Sequence, residues 1–208
     1  MELTSDTQLN KKEVPMAAYI NPPKPIPLLL RPGIWIAKKV TGKDLEIPKL
    51  LSWYPKAAIG SAVLESLVAH KDRTISERML KLVRMQASFT AFCPFCIDMN
   101  SSEYAQSGIT PEELAALQDH TLISTTQSFS TREKLALEYA RLISATPLSF
   151  PTEFIESLKQ NFDEREIVIL ASTAAQVNYW ARLIHGLGIP PAGFSGSCKL
   201  PDDYLTMD

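Results

Sequence analysis

Apolar residues recur along this chain with the three-to-four-residue spacing of α-helices. From residue 31 onward almost every apolar segment has this period. No run of five or more residues alternates apolar and polar positions as a half-buried strand would. The pattern therefore predicts an all-α protein, folded as a helical bundle.

Capping residues, prolines and glycines divide this pattern into separate helices. Pro55 suits the first turn of a helix that runs to about His70. Thr74 or Ser76 can cap the next helix, which runs towards Cys93. The remaining predicted helices run from about Pro94 to Gly108, from a start at Thr110 and Pro111, from Ser130 or Thr131 to a stop at Pro147, and from about Asp163 to Leu187 before Gly188.

The first 30 residues have a different composition. They are polar and then dense in proline, which removes backbone donors and favours an extended conformation. We expect residues 1–30 to form an extended arm that is either loose or laid over another surface. The chain of 208 residues with 45% hydrophobic content is long enough for one sizeable core, so residues 31–208 are predicted to form a single helical domain.

Two of the long helices resemble each other. Residues 81–93 can be aligned with residues 166–178, and both stretches are rich in small side chains. Each is followed by a segment that ends in glycine and isoleucine, Gly108-Ile109 and Gly188-Ile189. We interpret this as a weak internal helix repeat whose copies pack around one centre, and only the first copy carries cysteines.

The charge balance argues against two classes of partner. A formal net charge of −2 provides no basic field for nucleic acid or an anionic membrane surface. The N-terminus holds acids and amides where an export signal needs a basic start, and the apolar run Ile26 to Leu30 is too short to span a bilayer. The sequence therefore predicts a cytoplasmic protein with neither nucleic-acid nor membrane partners.

The candidate chemistry is centred on two cysteines. Cys93 and Cys96 lie three residues apart, so their thiols can close a disulfide with little backbone movement. If Pro94 begins a helix, unpaired backbone N–H groups at its start favour a thiolate. The flanking Phe92 and Phe95 oppose ionisation through desolvation.

Three interpretations of the pair stay open from these residues. A redox pair is favoured: thiols are kept reduced in the cytosol, where a close pair is more often catalytic or metal-binding than structural. Two inert buried cysteines are the second interpretation. A zinc site is disfavoured, since zinc needs four ligands and the only other thiol, Cys198, has no neighbouring cysteine. We expect no metal and no organic cofactor.

Several segments carry a family resemblance: residues 82–88, then Cys93-Pro-Phe-Cys96-Ile-Asp-Met-Asn100, then Gly108-Ile109, and near the C-terminus residues 176–183 with Leu187-Gly-Ile-Pro190. Together they resemble the carboxymuconolactone decarboxylase-like family, which includes the alkylhydroperoxidase D (AhpD) proteins. The resemblance covers about residues 46–195. It implies an all-helical AhpD-like fold and a homo-oligomer, as a dimer, trimer or hexamer.

The resemblance also implies roles for both cysteines. Cys96 corresponds to the thiol that attacks the peroxide, and Cys93 to the thiol that resolves the product as a disulfide. The family's peroxidases add a proton relay of one glutamate and two histidines, but those positions hold Lys81, Phe95 and Asn100 here. Asn100 can orient a water but cannot take up a proton, and Lys81 has the opposite charge to glutamate.

Other residues are candidates for support of the site. Glu77 lies one turn before Lys81, and the two are expected to form a surface pair. Asp98 is expected on a solvated helix face, with a general base as the alternative. His185 is expected to be a core or interface histidine, and the alternative is that it reaches the cysteines from the second copy of the repeat. Lys81 can lower a thiol pKa only if the chain turns back at Pro94, because twelve helical residues span about 18 Å.

These observations favour a thiol-dependent oxidoreductase that reduces small hydroperoxides, a peroxiredoxin-like activity, and that is itself reduced by an unknown thiol partner. One alternative is a lyase of the carboxymuconolactone decarboxylase type, which would need a cationic pocket for a dicarboxylate. The other is a non-catalytic helical oligomer whose cysteines sense redox state. The missing relay favours this last alternative, and the lack of a histidine-based acid and base weighs against the lyase.

Overall fold

The computed structural model describes residues 17–66 and 72–195. Within these ranges the chain forms nine α-helices and no strand, which confirms the all-α prediction. The helices are α1 (Arg31–Thr41), α2 (Ile47–Leu50), α3 (Pro55–Ser66), α4 (Glu77–Thr90), α5 (Pro94–Asn100), α6 (Pro111–Gln118), α7 (Thr131–Ser144), α8 (Thr152–Asn161) and α9 (Glu164–Leu187). None of these helices is long and apolar enough to cross a membrane.

Local capping sets most of the predicted helix starts. The Ser76 side chain accepts a hydrogen bond from Met79 N at the start of α4. Thr110, Ser130 and Asp163 each form a capping box at the start of α6, α7 and α9, in which the cap and a glutamate three residues later satisfy each other's backbone N–H groups. These starts are confirmed because their partners lie within one turn of the chain.

The helix after the cysteines is shorter than predicted. It ends at Asn100 and not at Gly108. Ser102 Oγ donates to the Met99 carbonyl, which competes with the helical bonding pattern, and Glu103 takes a left-handed conformation with φ 53°. A short 3-10 turn, Tyr104–Ser107, then leads to Gly108.

The described part of the N-terminal segment is partly ordered into turns. Tyr19 N donates to Leu187 O at the end of α9, so this segment lies against another surface of the protein. Residues 28–30 form a 3-10 turn that runs directly into α1. The sequence pattern did not predict α1 or α8 as separate helices.

The core is built around α4. Its apolar stripe, which includes Leu80, Val83 and Ala87, belongs to the same buried cluster as Ala174 and Val177 of α9. Helices α5 and α7 also pack against α4. The two copies of the predicted repeat are therefore neighbours at the centre, and both cysteines belong to the cluster between them.

An ion network that includes the buried Glu113 joins three helices at one end of α4. Arg78 donates to Glu113 Oε1 of α6 over 2.6 Å, to Glu133 Oε1 of α7 over 2.7 Å, and to the Gly108 carbonyl. The Glu113 side chain is 1% exposed. Although burial opposes its ionisation, hydrogen bonds from Arg78 and from Thr110 N hold the pKa of Glu113 below its ordinary value. The network fixes the end of α4 that lies away from the cysteines.

Candidate functional site

Cys93 and Cys96 form a disulfide at the start of α5. Their Cα atoms are 5.2 Å apart. Both residues are buried, with exposures of 0% and 4%. The predicted ability of this spacing to close a disulfide therefore holds, and the bond lies inside the apolar cluster and not on the surface.

A sharp turn between α4 and α5 positions the disulfide. Phe92 has φ 49°, a left-handed conformation that reverses the chain, and Pro94 occupies the first position of α5. Cys93 caps the helix: its Sγ accepts a hydrogen bond from Cys96 N over 3.2 Å. This contact holds the Cys93 sulfur at the start of α5 beside the backbone of Cys96.

His185 of α9 reaches the cysteine turn through the backbone. Its Nε2 donates to the Phe92 carbonyl over 2.8 Å, one residue before Cys93. His185 is exposed at a groove of about 550 Å³ beside the turn. The groove is lined by Thr90, Ala91, Phe92, Ser144, Ala145, Thr146, Ala181, Arg182 and His185. His185 thus supports the turn and borders an open groove, and it is not a core histidine.

The chain reverses direction at Phe92, just before Pro94, as a contact of Lys81 with the region of α5 requires. Lys81 Nζ donates to the Ser102 carbonyl over 2.7 Å, just after α5. Burial and the like charge of Arg84 lower the pKa of Lys81 to about 8, against the opposing effect of Glu103. Glu77 lies exposed in the first turn of α4, and its pairing with Lys81 stays a prediction.

Asn100 joins α5 to α4. Its Nδ2 donates to Ser88 Oγ over 2.9 Å, and Ser88 Oγ donates in turn to the Arg84 carbonyl. Asn100 lies one turn after Cys96, so this link holds the cysteine helix against the polar side of α4. Phe95, at the other altered relay position, is buried and packs edge-on against Phe194.

Asp98 corrects a prediction. It was expected on a solvated face, but it is only 6% exposed. Its carboxylate accepts hydrogen bonds from Ala192 N, Phe194 N and Ser195 N over 2.8–3.1 Å. Ser195 Oγ is a fourth donor, to Asp98 Oδ1 over 3.2 Å, so the acceptor positions of the carboxylate are occupied and Asp98 anchors the segment after α9 over the cysteine helix.

The sequence did not predict the hydrogen bonds that Glu65 makes with α9. Glu65 Oε2 of α3 accepts from Gln176 Nε2 over 2.7 Å and from Trp180 Nε1 over 2.9 Å. The i,i+4 spacing of Gln176 and Trp180 on α9 was the available signal, but nothing local points to Glu65. In the parts of the chain that the structure describes, no three His, Cys, Asp or Glu side chains are grouped to hold a metal ion.

Two bacterial proteins are similar to this chain in sequence, and no family model matches it. The uncharacterised protein YnjA of Escherichia coli (strain K12) is 27% identical over 180 residues, which cover 85% of this chain and 94% of YnjA. The uncharacterised protein YdfG of Bacillus subtilis (strain 168) is 26% identical over 140 residues, which cover 66% of this chain and 93% of YdfG.

Several solved structures are similar to this chain in fold. The AhpD core of a peroxidase-related protein from Ralstonia eutropha JMP134 superposes with a TM-score of 0.70 at 15% identity, over 93% of this chain and 97% of that one. A peroxidase-related protein from Silicibacter sp. TM1040 gives 0.72 at 16% identity, over 90% and 98%. The debrominase Bmp8, as a cysteine-to-alanine variant in complex with 2,3,4-tribromopyrrole, gives 0.70 at 17% identity, over 91% and 97%. The chain therefore has the all-helical fold of the AhpD-like proteins.

Proposed function

We propose that this protein is a thiol-dependent oxidoreductase that reduces small hydroperoxides with the Cys93 and Cys96 pair. The observation that carries the proposal is the Cys93–Cys96 disulfide, closed across the first turn of α5, with the preceding residue Phe92 at the edge of an open groove. The AhpD-like fold and its peroxidase-related neighbours support the same chemistry.

The proposed reaction has two steps on the protein. The Cys96 thiolate attacks the outer peroxide oxygen, the O–O bond breaks, and the alcohol leaves after it takes up a proton, so that Cys96 becomes a sulfenic acid. Cys93 then attacks the Cys96 sulfur and displaces water, which forms the disulfide. The contact from Cys96 N to Cys93 Sγ supports this second step, because it holds the resolving sulfur next to the residue that it attacks. A thiol reductant returns both sulfurs to the reduced state by exchange.

Counting thiols before and after peroxide tests this proposal. The reduced chain has three cysteines, and one equivalent of hydroperoxide should remove two titratable thiols and leave one. The double variant Cys93→Ser/Cys96→Ser is the control and should lose none by this route. Unchanged thiols in the wild-type protein, under conditions that oxidise glutathione, would contradict the proposal.

A reductive dehalogenation is a second candidate, because the debrominase Bmp8 shares the fold. The same dithiol would supply two electrons: a carbon–bromine bond is replaced by a carbon–hydrogen bond, bromide leaves, and Cys93 and Cys96 become a disulfide. Two results together would favour this candidate over the first. The reduced protein should release bromide from 2,3,4-tribromopyrrole, and its thiols should not be oxidised by hydroperoxide.

We also propose that the protein self-associates through α1. This helix of 11 residues has no buried residue, and an isolated helix of that length is marginal in water. Its apolar side chains are open to solvent, with exposures of 61% for Trp35 and 79% for Val40, and Leu28 and Leu29 just before it are also exposed. A second copy of the chain that covers this face would remove the apolar area from water.

The mass of the protein in solution tests the role of α1. Trp35→Glu should shift the sedimenting species to a smaller mass, because a charge would then have to be buried at the interface. Val168→Glu, at an exposed position of α9, is the matched control and should leave the mass unchanged. A wild-type protein that sediments as a monomer would overturn the proposal.

A further inference from the structure

Two cations lie together on one side of α4. Lys81 and Arg84 are separated by three residues, which places their side chains on the same face of a helix. Both residues are partly exposed. Lys81 is bonded to the Ser102 carbonyl, which carries no net charge. Arg84 Nη1 is buried and has no hydrogen-bond partner.

The two acids that influence these cations act at a distance. The negative charge of Glu65 raises the pKa of Arg84, but its Oε2 already accepts hydrogen bonds from Gln176 and Trp180. The negative charge of Glu103 likewise raises the pKa of Lys81, and Glu103 lies exposed after α5. Burial lowers the pKa of Arg84 as it does that of Lys81. Other partly buried arginines of this chain are paired, for example Arg78 with Glu113 and Arg141 with Glu138.

We propose that Lys81 and Arg84 bind the carboxylate of an organic-acid substrate. A desolvated cation is costly unless an anion or acceptor meets it, and Arg84 has a donor that nothing in the described chain accepts. The planar guanidinium matches a carboxylate with two parallel hydrogen bonds, and the Lys81 ammonium adds a point charge beside it. The pair thus supplies both the geometry and the charge for an anionic group.

The position of the cations relates this site to the cysteines. Arg84 is one turn before Ser88 on α4, Ser88 is bonded to Asn100, and Asn100 is one turn after Cys96 on α5. The two sites are therefore about two helical turns apart, on the order of 10 Å. This inference rests on the proposed function in one respect: the substrate class it names is a hydroperoxide on an acyl chain that ends in a carboxylate.

Calorimetry with sodium hexanoate measures the site without any thiol chemistry. Wild-type protein should bind hexanoate, and Arg84→Met should weaken binding about tenfold or more, which corresponds to the loss of one charge-assisted contact. Arg141→Met, which removes a cation that already has a carboxylate partner, is the matched control and should leave binding unchanged. Arg84→Met is expected to fold, because it removes a charge that is costly to bury, and thermal unfolding checks this.

Two further measurements identify the ligand class. Inorganic phosphate should compete only weakly with hexanoate; equal affinity for both would show a general anion site and overturn the carboxylate assignment. Binding should weaken as the pH rises through about 8, because Lys81 then loses its charge while Arg84 keeps its own. Lys81→Met should remove this pH dependence, even though the variant keeps the nearby carboxylates of Glu65 and Glu103.

A substrate pair separates this inference from the proposed function. If both hold, linoleic acid hydroperoxide should be reduced with a lower KM than its methyl ester, and Arg84→Met should remove this difference in KM. Hexanoate binding without any peroxide reduction would overturn the proposed function and keep the site. Peroxide reduction without hexanoate binding, or binding that survives Arg84→Met, would overturn the site and keep the function.

Discussion

Replacing Cys96 by serine is expected to abolish catalytic peroxide consumption, with a loss of about a thousandfold or more. The reason is that a hydroxyl cannot replace the thiolate that attacks the O–O bond. Cys93→Ser should keep the first step and stop the second, so that Cys96 remains as a sulfenic acid or pairs with another molecule. Peroxide consumption in the presence of dithiothreitol, with mass spectrometry after a sulfenic-acid trap, measures both results.

If Cys93 attacks the peroxide and Cys96 resolves, the same experiment gives a different outcome. Cys93 Sγ, and not Cys96 Sγ, accepts the backbone hydrogen bond at the start of α5. If Cys96→Ser still reacts with peroxide and the trapped sulfenic acid is on Cys93, the two roles are reversed. Full activity in both single variants would contradict a role of the pair altogether.

Replacing Arg78 by methionine is expected to lower the free energy of unfolding by about 3 kcal/mol, since it leaves a buried carboxylate without its cation. Glu113 is 1% exposed and takes hydrogen bonds from two Arg78 nitrogens. Arg141→Met removes a more exposed pair within α7 and should cost less than about 1 kcal/mol. Denaturant unfolding of both variants gives the comparison.

The pH dependence of the destabilisation by Arg78→Met shows whether the lost charge pairing is its cause. The folded-state pKa of Glu113 is lowered, so the stability it contributes with Arg78 is present above the ordinary carboxyl range and is lost as the pH falls through the lowered value. The difference between wild type and Arg78→Met should therefore shrink on acidification. Arg78→Met/Glu113→Gln should recover part of the loss at neutral pH. A difference that does not change with pH would show that lost packing is the cause.

The helix starts that the sequence predicted are those whose partners lie within one turn. Ser76, Thr110, Ser130 and Asp163 each cap a helix with their own side chains, so the residues at these positions are sufficient to place them. The end of α5 was not predicted, because Ser102 bonds back to Met99 and competes with a continuous helix in a way that apolar periodicity does not register.

The roles of single polar residues were less predictable, because their partners lie far along the chain. Asp98 was assigned to a solvated face, yet its donors lie in residues 192–195, at the other end of the described chain. His185 meets the Phe92 carbonyl across a separation of 93 residues. Lys81 meets Ser102 only because the left-handed turn at Phe92 lays α5 back along α4.

The sequence by itself determined the helical class, most helix starts and the ability of Cys93 and Cys96 to form a disulfide, because each depends on residues a few positions apart. The tertiary structure decided which polar groups meet. It buried the disulfide between α4 and α9 and engaged Asp98 with the C-terminal segment. Within the described part of the chain, it also left Arg84 Nη1 without a hydrogen-bond acceptor. Charge pairing depends on how whole helices pack, and no local pattern encodes that packing.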